Sequence, residues 1–83
     1  MMEDLIELFK AKIDKHEGKL KAHKETEAIL RADYEDLKER DFEKSKRVGE
    51  KLLSTIKNIE YHTAKYKTYK KVVEALEAKV QKV

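Results

Sequence analysis

The sequence predicts an all-α fold, an antiparallel two-helix hairpin of the coiled-coil type that dimerises into a four-helix bundle. Three observations predict it: an apolar repeat in each half of the chain, a change in the phase of that repeat near the middle, and opposite net charges beside the phase change. The alternative is one continuous long coiled-coil helix. We assign the 83 residues to a single domain, with helix 1 over about 2–40, a turn over about 41–46 and helix 2 over about 47–83.

The first helix is predicted by an apolar seam in the N-terminal half. Residues spaced alternately three and four apart return to one stripe of an α-helix, which is how coiled-coil helices pack against a partner. Gly18 weakens this helix by about 1 kcal/mol relative to alanine, but the seam keeps its phase across it. The seam residues are Ile6, Phe9, Ile13, His16, Leu20, His23, Glu27, Leu30, Tyr34 and Leu37.

The turn is predicted where the first seam is lost. Between residues 38 and 47 the only apolar side chain is that of Phe42. A continuous helix would absorb the phase change as a four-residue stutter, which places Asp41 and Ser45 on the seam. Because Asp and Ser suit turns and helix N-caps better than a core, a turn is favoured.

The second helix carries the longer seam, which restarts in a new register. The chain has no proline and only two glycines, in a composition of good helix formers. The residues of this second seam are Val48, Leu52, Thr55, Ile59, His62, Tyr66, Tyr69, Val73, Leu76, Val80 and Val83.

Charge also favours a hairpin. Residues 25–43 hold eight acids and three bases, whereas residues 44–71 hold nine bases and two acids. Folding near residue 44 brings these stretches side by side, so that facing residue numbers add up to about 88 and Glu27 approaches His62. Exposed ion pairs contribute only about a few tenths of a kcal/mol each, so charge supports the hairpin without deciding it.

Helix 1 has a second, partial apolar strip outside the seam. A helix with a broadened apolar face has more than one neighbour. We therefore expect self-association to a homodimer or tetramer, or the binding of a different protein, on this strip. Its residues are Leu5, Leu8, Ala22, Ala28, Ile29 and Ala32.

Composition excludes several classes of site. The absence of cysteine rules out disulfides and thiolate metal sites and suits a reducing compartment. The acidic start is neither a signal peptide nor a membrane span, so we expect a soluble, cytoplasmic protein that does not act at a membrane. Neither serine lies in a nucleophile elbow, and a narrow coiled coil has little concavity, so we expect no enzyme activity and no small-molecule substrate.

Polar residues on the two seams predict a layer that sets register and oligomeric state, as buried polar groups do in coiled coils. An alternative is a divalent-metal site formed by His23, Glu27 and His62, although the di-iron and His-Glu-x-x-His patterns are absent and we expect no metal or cofactor. Protonating the seam histidines would lower stability below about pH 6.5. The predicted polar register layer comprises His16, His23, Glu27, Thr55 and His62.

The function that these features favour is a small interaction protein that self-associates and binds another protein as a regulator, inhibitor or assembly adaptor. The alternative is a hairpin dimer that binds nucleic acid without sequence preference through a basic face of helix 2. Tyr66 and Tyr69 interleave with these bases but lie on the seam, which argues against base stacking. The phosphate-binding residues of this alternative are Lys44, Lys46, Arg47, Lys51, Lys57, Lys65, Lys67, Lys70 and Lys71.

Overall fold

The chain folds into a rod of two helices packed against each other. The computed structural model describes residues 1–81, which form α1 (Met2–Leu37) and α2 (Phe42–Gln81) and measure 64 × 14 × 13 Å along the principal axes. The predicted helical hairpin is confirmed, whereas its dimerisation stays a prediction. The predicted end of helix 2 and the seam position Val83 lie outside the described residues.

The turn lies earlier than predicted, over residues 38–41 rather than about 41–46. The Asp41 side chain accepts a hydrogen bond from the Lys44 backbone N–H at 3.2 Å, and the Asp41 carbonyl accepts one from the Ser45 N–H at 3.0 Å. Asp41 is therefore the N-cap of α2, and residues 42–46 form the first helical turn instead of a loop. The Leu37 carbonyl accepts the Asp41 N–H at 2.8 Å, so both helix ends meet at this residue.

The earlier turn changes which residues face each other. Phe9 lies opposite Tyr69, with ring centroids 5.5 Å apart, and His16 lies opposite His62. The predicted pairing of Glu27 with His62 is wrong, because the earlier turn shifts the second arm along the first.

The two seams meet along the length of the hairpin. All ten seam residues of α1, and the ten of α2 from Val48 to Val80, are buried or half-buried. Few of them are fully enclosed, however: Ile6 and Val73, at 7% and 6% exposure, are the buried hydrophobic residues. Each helix has one neighbour, so most seam side chains keep an edge in water.

Candidate functional site

The most unusual contact between the arms joins two histidines. His16 Nδ1 and His62 Nδ1 lie 2.7 Å apart. One imidazole must carry its proton on Nδ1 and donate, while the other accepts through a bare Nδ1. Within residues 1–81 it is the only side-chain hydrogen bond that crosses from α1 to α2.

Aromatic rings extend this pair into a layer, the histidine cluster, which we define as His16, His23 and His62. The His23 ring stacks on His62 with centroids 5.4 Å apart and an 18° interplanar angle. On the other side, His16 stacks on Tyr69 at 5.7 Å. Tyr61 presents its edge to His62 at 5.1 Å. The three predicted seam histidines thus come together at mid-length.

The other two members of the predicted polar layer bond elsewhere. The Glu27 carboxylate accepts a hydrogen bond from Arg31 Nη2 at 3.0 Å, one turn along the same helix. The Thr55 hydroxyl is buried and donates to the Lys51 carbonyl of its own helix at 2.9 Å. Of the five predicted residues, the histidines therefore make the contacts between the arms.

The alternative metal site is not assembled in the part of the chain that the structure describes. No group of three or more His, Asp or Glu side chains is placed there to hold a metal ion. His62 turns its Nδ1 to His16, and Glu27 pairs with an arginine. The predicted trio of His23, Glu27 and His62 therefore has no common centre.

Lysines lie along one side of the histidine cluster. The Lys12 ammonium lies 5.8 Å from the Tyr69 ring centroid, and the Lys65 ammonium lies 5.8 Å from that of Tyr61. Burial and, after it, positive charge lower the pKa of His16 from its ordinary value. The charges that act on His16, in order of decreasing effect, are those of Lys15, Lys19, Lys65 and Lys12.

The partner ring responds to the same surroundings. Burial has the largest effect in lowering the pKa of His62, followed by the neighbouring His16 and His23 and then by Lys19 and Lys15. Each effect disfavours the charged imidazolium, so the hydrogen-bonded pair is held neutral near pH 7.

The charge around the cluster is not balanced by carboxylates. Residues 10–24 hold six bases and two acids, and the facing residues 57–71 hold five bases and one acid. Of these bases, only Lys10 forms an ion pair within residues 1–81, with Glu77 at 3.5 Å. The central third of the rod is therefore strongly positive on both arms.

Open grooves run beside the seam. A central groove of about 640 Å³ has a largely apolar floor of Leu20, Ala28 and Tyr66. A second groove of about 400 Å³ lies near the turn, between Tyr34 and Leu53. The predicted strip on α1 stays open to solvent as well, with Leu8 52% and Ile29 63% exposed.

Sequence reasoning missed a further apolar stripe on α2. Phe42 and Leu53 are 67% and 61% exposed, and they lie on one side of the helix with Gly49 and Ile56. The seven-residue recurrence of Phe42, Gly49 and Ile56, one position after the seam, is the signal that indicates this broadened face. Tyr61, 55% exposed, was also not predicted as a surface residue.

The nine bases of the nucleic-acid alternative do not share one face of α2. At 100° per residue, Lys44 and Lys46 point about 160° apart on a regular helix. The aromatic faces among them are not free: the Lys70 ammonium lies 5.4 Å from the centroid of the half-buried Tyr66 ring.

Comparison with known proteins found no match to this chain among protein-family models, curated proteins or solved structures. Across residues 1–81, neither helix has a segment apolar enough to cross a bilayer.

Proposed function

We propose that this protein is a non-enzymatic interaction module, a hairpin that self-associates and binds another protein as a regulator, inhibitor or assembly adaptor. The proposal rests on the small number of buried hydrophobic side chains and the large exposed surface. The surface area is 6545 Å² for 9.8 kDa, against about 5,200 Å² for a compact monomer of that mass. A chain that leaves so much surface open, with large apolar side chains on it, gains stability by association.

The stripe near the turn is the better surface for a second copy. We define the turn-end surface as Phe42, Gly49, Leu53 and Ile56, of which the first three border the groove beside Tyr34. A two-fold axis along the rod sets α1 of one copy opposite α2 of the other, with both turns at the same end.

Charge supports this arrangement at the turn end. Residues 25–37 of α1 hold five acids and one base, and residues 44–57 of α2 hold five bases and one acid. Each acidic arm would therefore lie over a basic arm of the other copy. In the central third the same overlap places like charges together, so we expect the contact to concentrate near the turn.

Sedimentation of variants tests the self-association. Leu53→Lys should raise the dissociation constant of the dimer about tenfold or more, because it places a charge in an apolar contact. Asn58→Lys is the matched control, since it adds the same charge at an exposed polar position of the same helix. The apparent Tm of the wild type should rise with protein concentration. A wild-type monomer at high micromolar concentration would refute the proposal.

The nucleic-acid alternative has weaker support. The nine bases are distributed around α2, and the tyrosine faces are covered by lysines of the same chain. A mobility-shift assay over a salt series is the appropriate check, because phosphate binding weakens steeply with salt.

A further inference from the structure

The lysines beside the histidine cluster form a regular surface. Lys12, Lys15 and Lys19 recur at three and four residues along one side of α1, and Lys65 joins them from α2. We call these four residues the central lysine face. Within residues 1–81 none of the four forms an ion pair. Four lysines on one side of the rod that form no ion pair with a carboxylate are a surface suited to an anionic partner.

The same stripe of α1 is apolar on both sides of the lysines. Leu5 and Leu8 precede Lys12 at the three- and four-residue spacing, and Ile29 continues the stripe beyond Lys19. Leu8 and Ile29 are 52% and 63% exposed. The stripe therefore offers apolar contacts at each end and positive charge between them, over about seven turns of helix.

We propose that the central lysine face binds an acidic α-helix of a partner protein, with carboxylates opposite the lysines and apolar side chains against Leu8 and Ile29. This inference rests on the proposed protein-binding function and names the partner's chemistry. A helix laid along α1 repeats its side chains at the same three- and four-residue spacing, so glutamates on one side of it match Lys12, Lys15 and Lys19 in turn.

A nucleic acid fits this surface less well than an acidic helix. The Lys65 and Lys12 ammonium groups lie over the rings of Tyr61 and Tyr69, which removes the faces on which bases would stack. Residues 1–9 hold three acids and no base, and residues 25–43 are acidic as well. A backbone of phosphates that continued past the central third would meet negative charge at either end, whereas a helix can confine its carboxylates to the central third and place apolar side chains at its ends.

The histidine cluster supplies a signature for binding at this place. Carboxylates brought beside the lysines would offset the positive charge that disfavours imidazolium, so the pKa of His16 would rise. The groups that face His16 are Lys12, Lys15 and Lys19 on its own helix and Lys65, Tyr61, Tyr69 and His62 on α2. Binding should therefore take up protons as the pH falls below 6.5, which a contact remote from the cluster would not do.

The test uses the full chain and a synthetic helical peptide of about three heptads, with glutamate at three- and four-residue spacing on one side and leucine beside it. Fluorescence anisotropy should show binding at low salt, and the same peptide with glutamine should bind about tenfold more weakly or worse. Calorimetry in buffers of different ionisation enthalpy, at pH 6.5 and at lower pH, measures the proton uptake.

Two double charge reversals locate the site. Lys15→Glu with Lys19→Glu should weaken binding about tenfold or more. Lys21→Glu with Lys24→Glu is the matched control, because it lowers the net charge equally but lies beside the central groove, on roughly the opposite side of α1. It should weaken binding by less than about threefold. Circular dichroism checks that each variant keeps the helical content of the wild type.

Three results would overturn the inference. Absence of peptide binding at low salt would show that the central lysine face is not a binding site for an acidic helix. Equal losses of peptide affinity in the two double variants would show that binding depends only on net charge. Tighter binding of a single-stranded or duplex oligonucleotide than of the peptide assigns the surface to nucleic acid. Sedimentation of the same samples separates the two proposals, since loss of self-association with retained peptide binding refutes only the dimer.

Discussion

The turn end of the hairpin and its central third are held together by opposite means. Near the turn, an acidic stretch of α1 lies against a basic stretch of α2, Asp41 caps the second helix, and Tyr34 packs against Gly49. In the centre, both arms are basic, and the contacts across the seam are the His16–His62 hydrogen bond and stacked rings. Electrostatics thus assists pairing in one region and opposes it in the other.

This difference indicates which part of the molecule should respond to ions, to pH and to charged partners. Near the turn, the acidic arm and the basic arm already offset each other's net charge, so added ions or anionic partners change the pairing of the arms little there. A region where aromatic packing works against like charges is stabilised by anything that brings negative charge, and is weakened by added protons. The central third should therefore respond most to pH and to anionic partners, and the turn end should respond least to them.

Removing an aromatic ring from the centre should give the largest effect. Tyr69→Ala deletes the contacts with Phe9 and His16 in a half-buried position, and should lower the free energy of unfolding by about 2–3 kcal/mol. Urea denaturation measures this. Tyr61→Ala is the control, because that ring is 55% exposed and should cost less than about 1 kcal/mol. Equal costs would contradict an aromatic basis for central pairing.

Acid should weaken the centre. His16 and His62 have pKa values below the ordinary 6.5 in the folded state. Their stabilisation is therefore complete above that value and is lost as the pH falls through the lower folded pKa. Loss of the hydrogen bond, about 1 kcal/mol, corresponds to a Tm about 4–8 °C lower.

Thermal melts between pH 7.5 and pH 5 check this, and replacing both His16 and His62 by leucine is the control. The double variant should keep or gain stability at pH 7.5 and lose most of the pH dependence, because apolar side chains often match a buried polar pair. An unchanged slope would place the pH dependence outside the histidine pair.

Removing the N-cap of α2 should speed local opening near the turn and leave the central third unchanged. Asp41→Ala removes the acceptor of the Lys44 N–H and should cost about 1 kcal/mol. Asp41→Asn keeps a capping side chain and should cost only about a few tenths of a kcal/mol. Hydrogen exchange should show faster opening of the first turn of α2 in Asp41→Ala, with central amides unchanged. Faster exchange in both regions would mean that they open as one unit.

The smallest effects compare the two glycines. A methyl group at Gly18 meets no atom within 4 Å, so Gly18→Ala should stabilise by up to about 1 kcal/mol through helix propensity. At Gly49 the added carbon would lie 3.6 Å from Tyr34 Cε2, an ordinary contact, so Gly49→Ala should also stabilise. Chemical denaturation resolves both. A loss of stability in Gly49→Ala alone would show that the turn end is packed more tightly than the centre.

The sequence by itself determined the helices and the faces they bury. A repeat of three and four residues places every member on one stripe, so all described seam residues are turned toward the other helix. The charge change beside residue 44 likewise indicated that the chain folds back. These properties are local, and local spacing is sufficient to specify them.

Only the tertiary structure decided the place of the turn and therefore the register. Asp41, rather than a residue nearer Val48, caps the second helix, and this choice sets how far one arm is displaced along the other. A periodic seam specifies a face but not an axial offset, because sliding one helix by a heptad still lays apolar residues on apolar residues. Polar side chains occupy only some of the seam positions, so the offset alone determined that His62 meets His16 and His23 rather than Glu27.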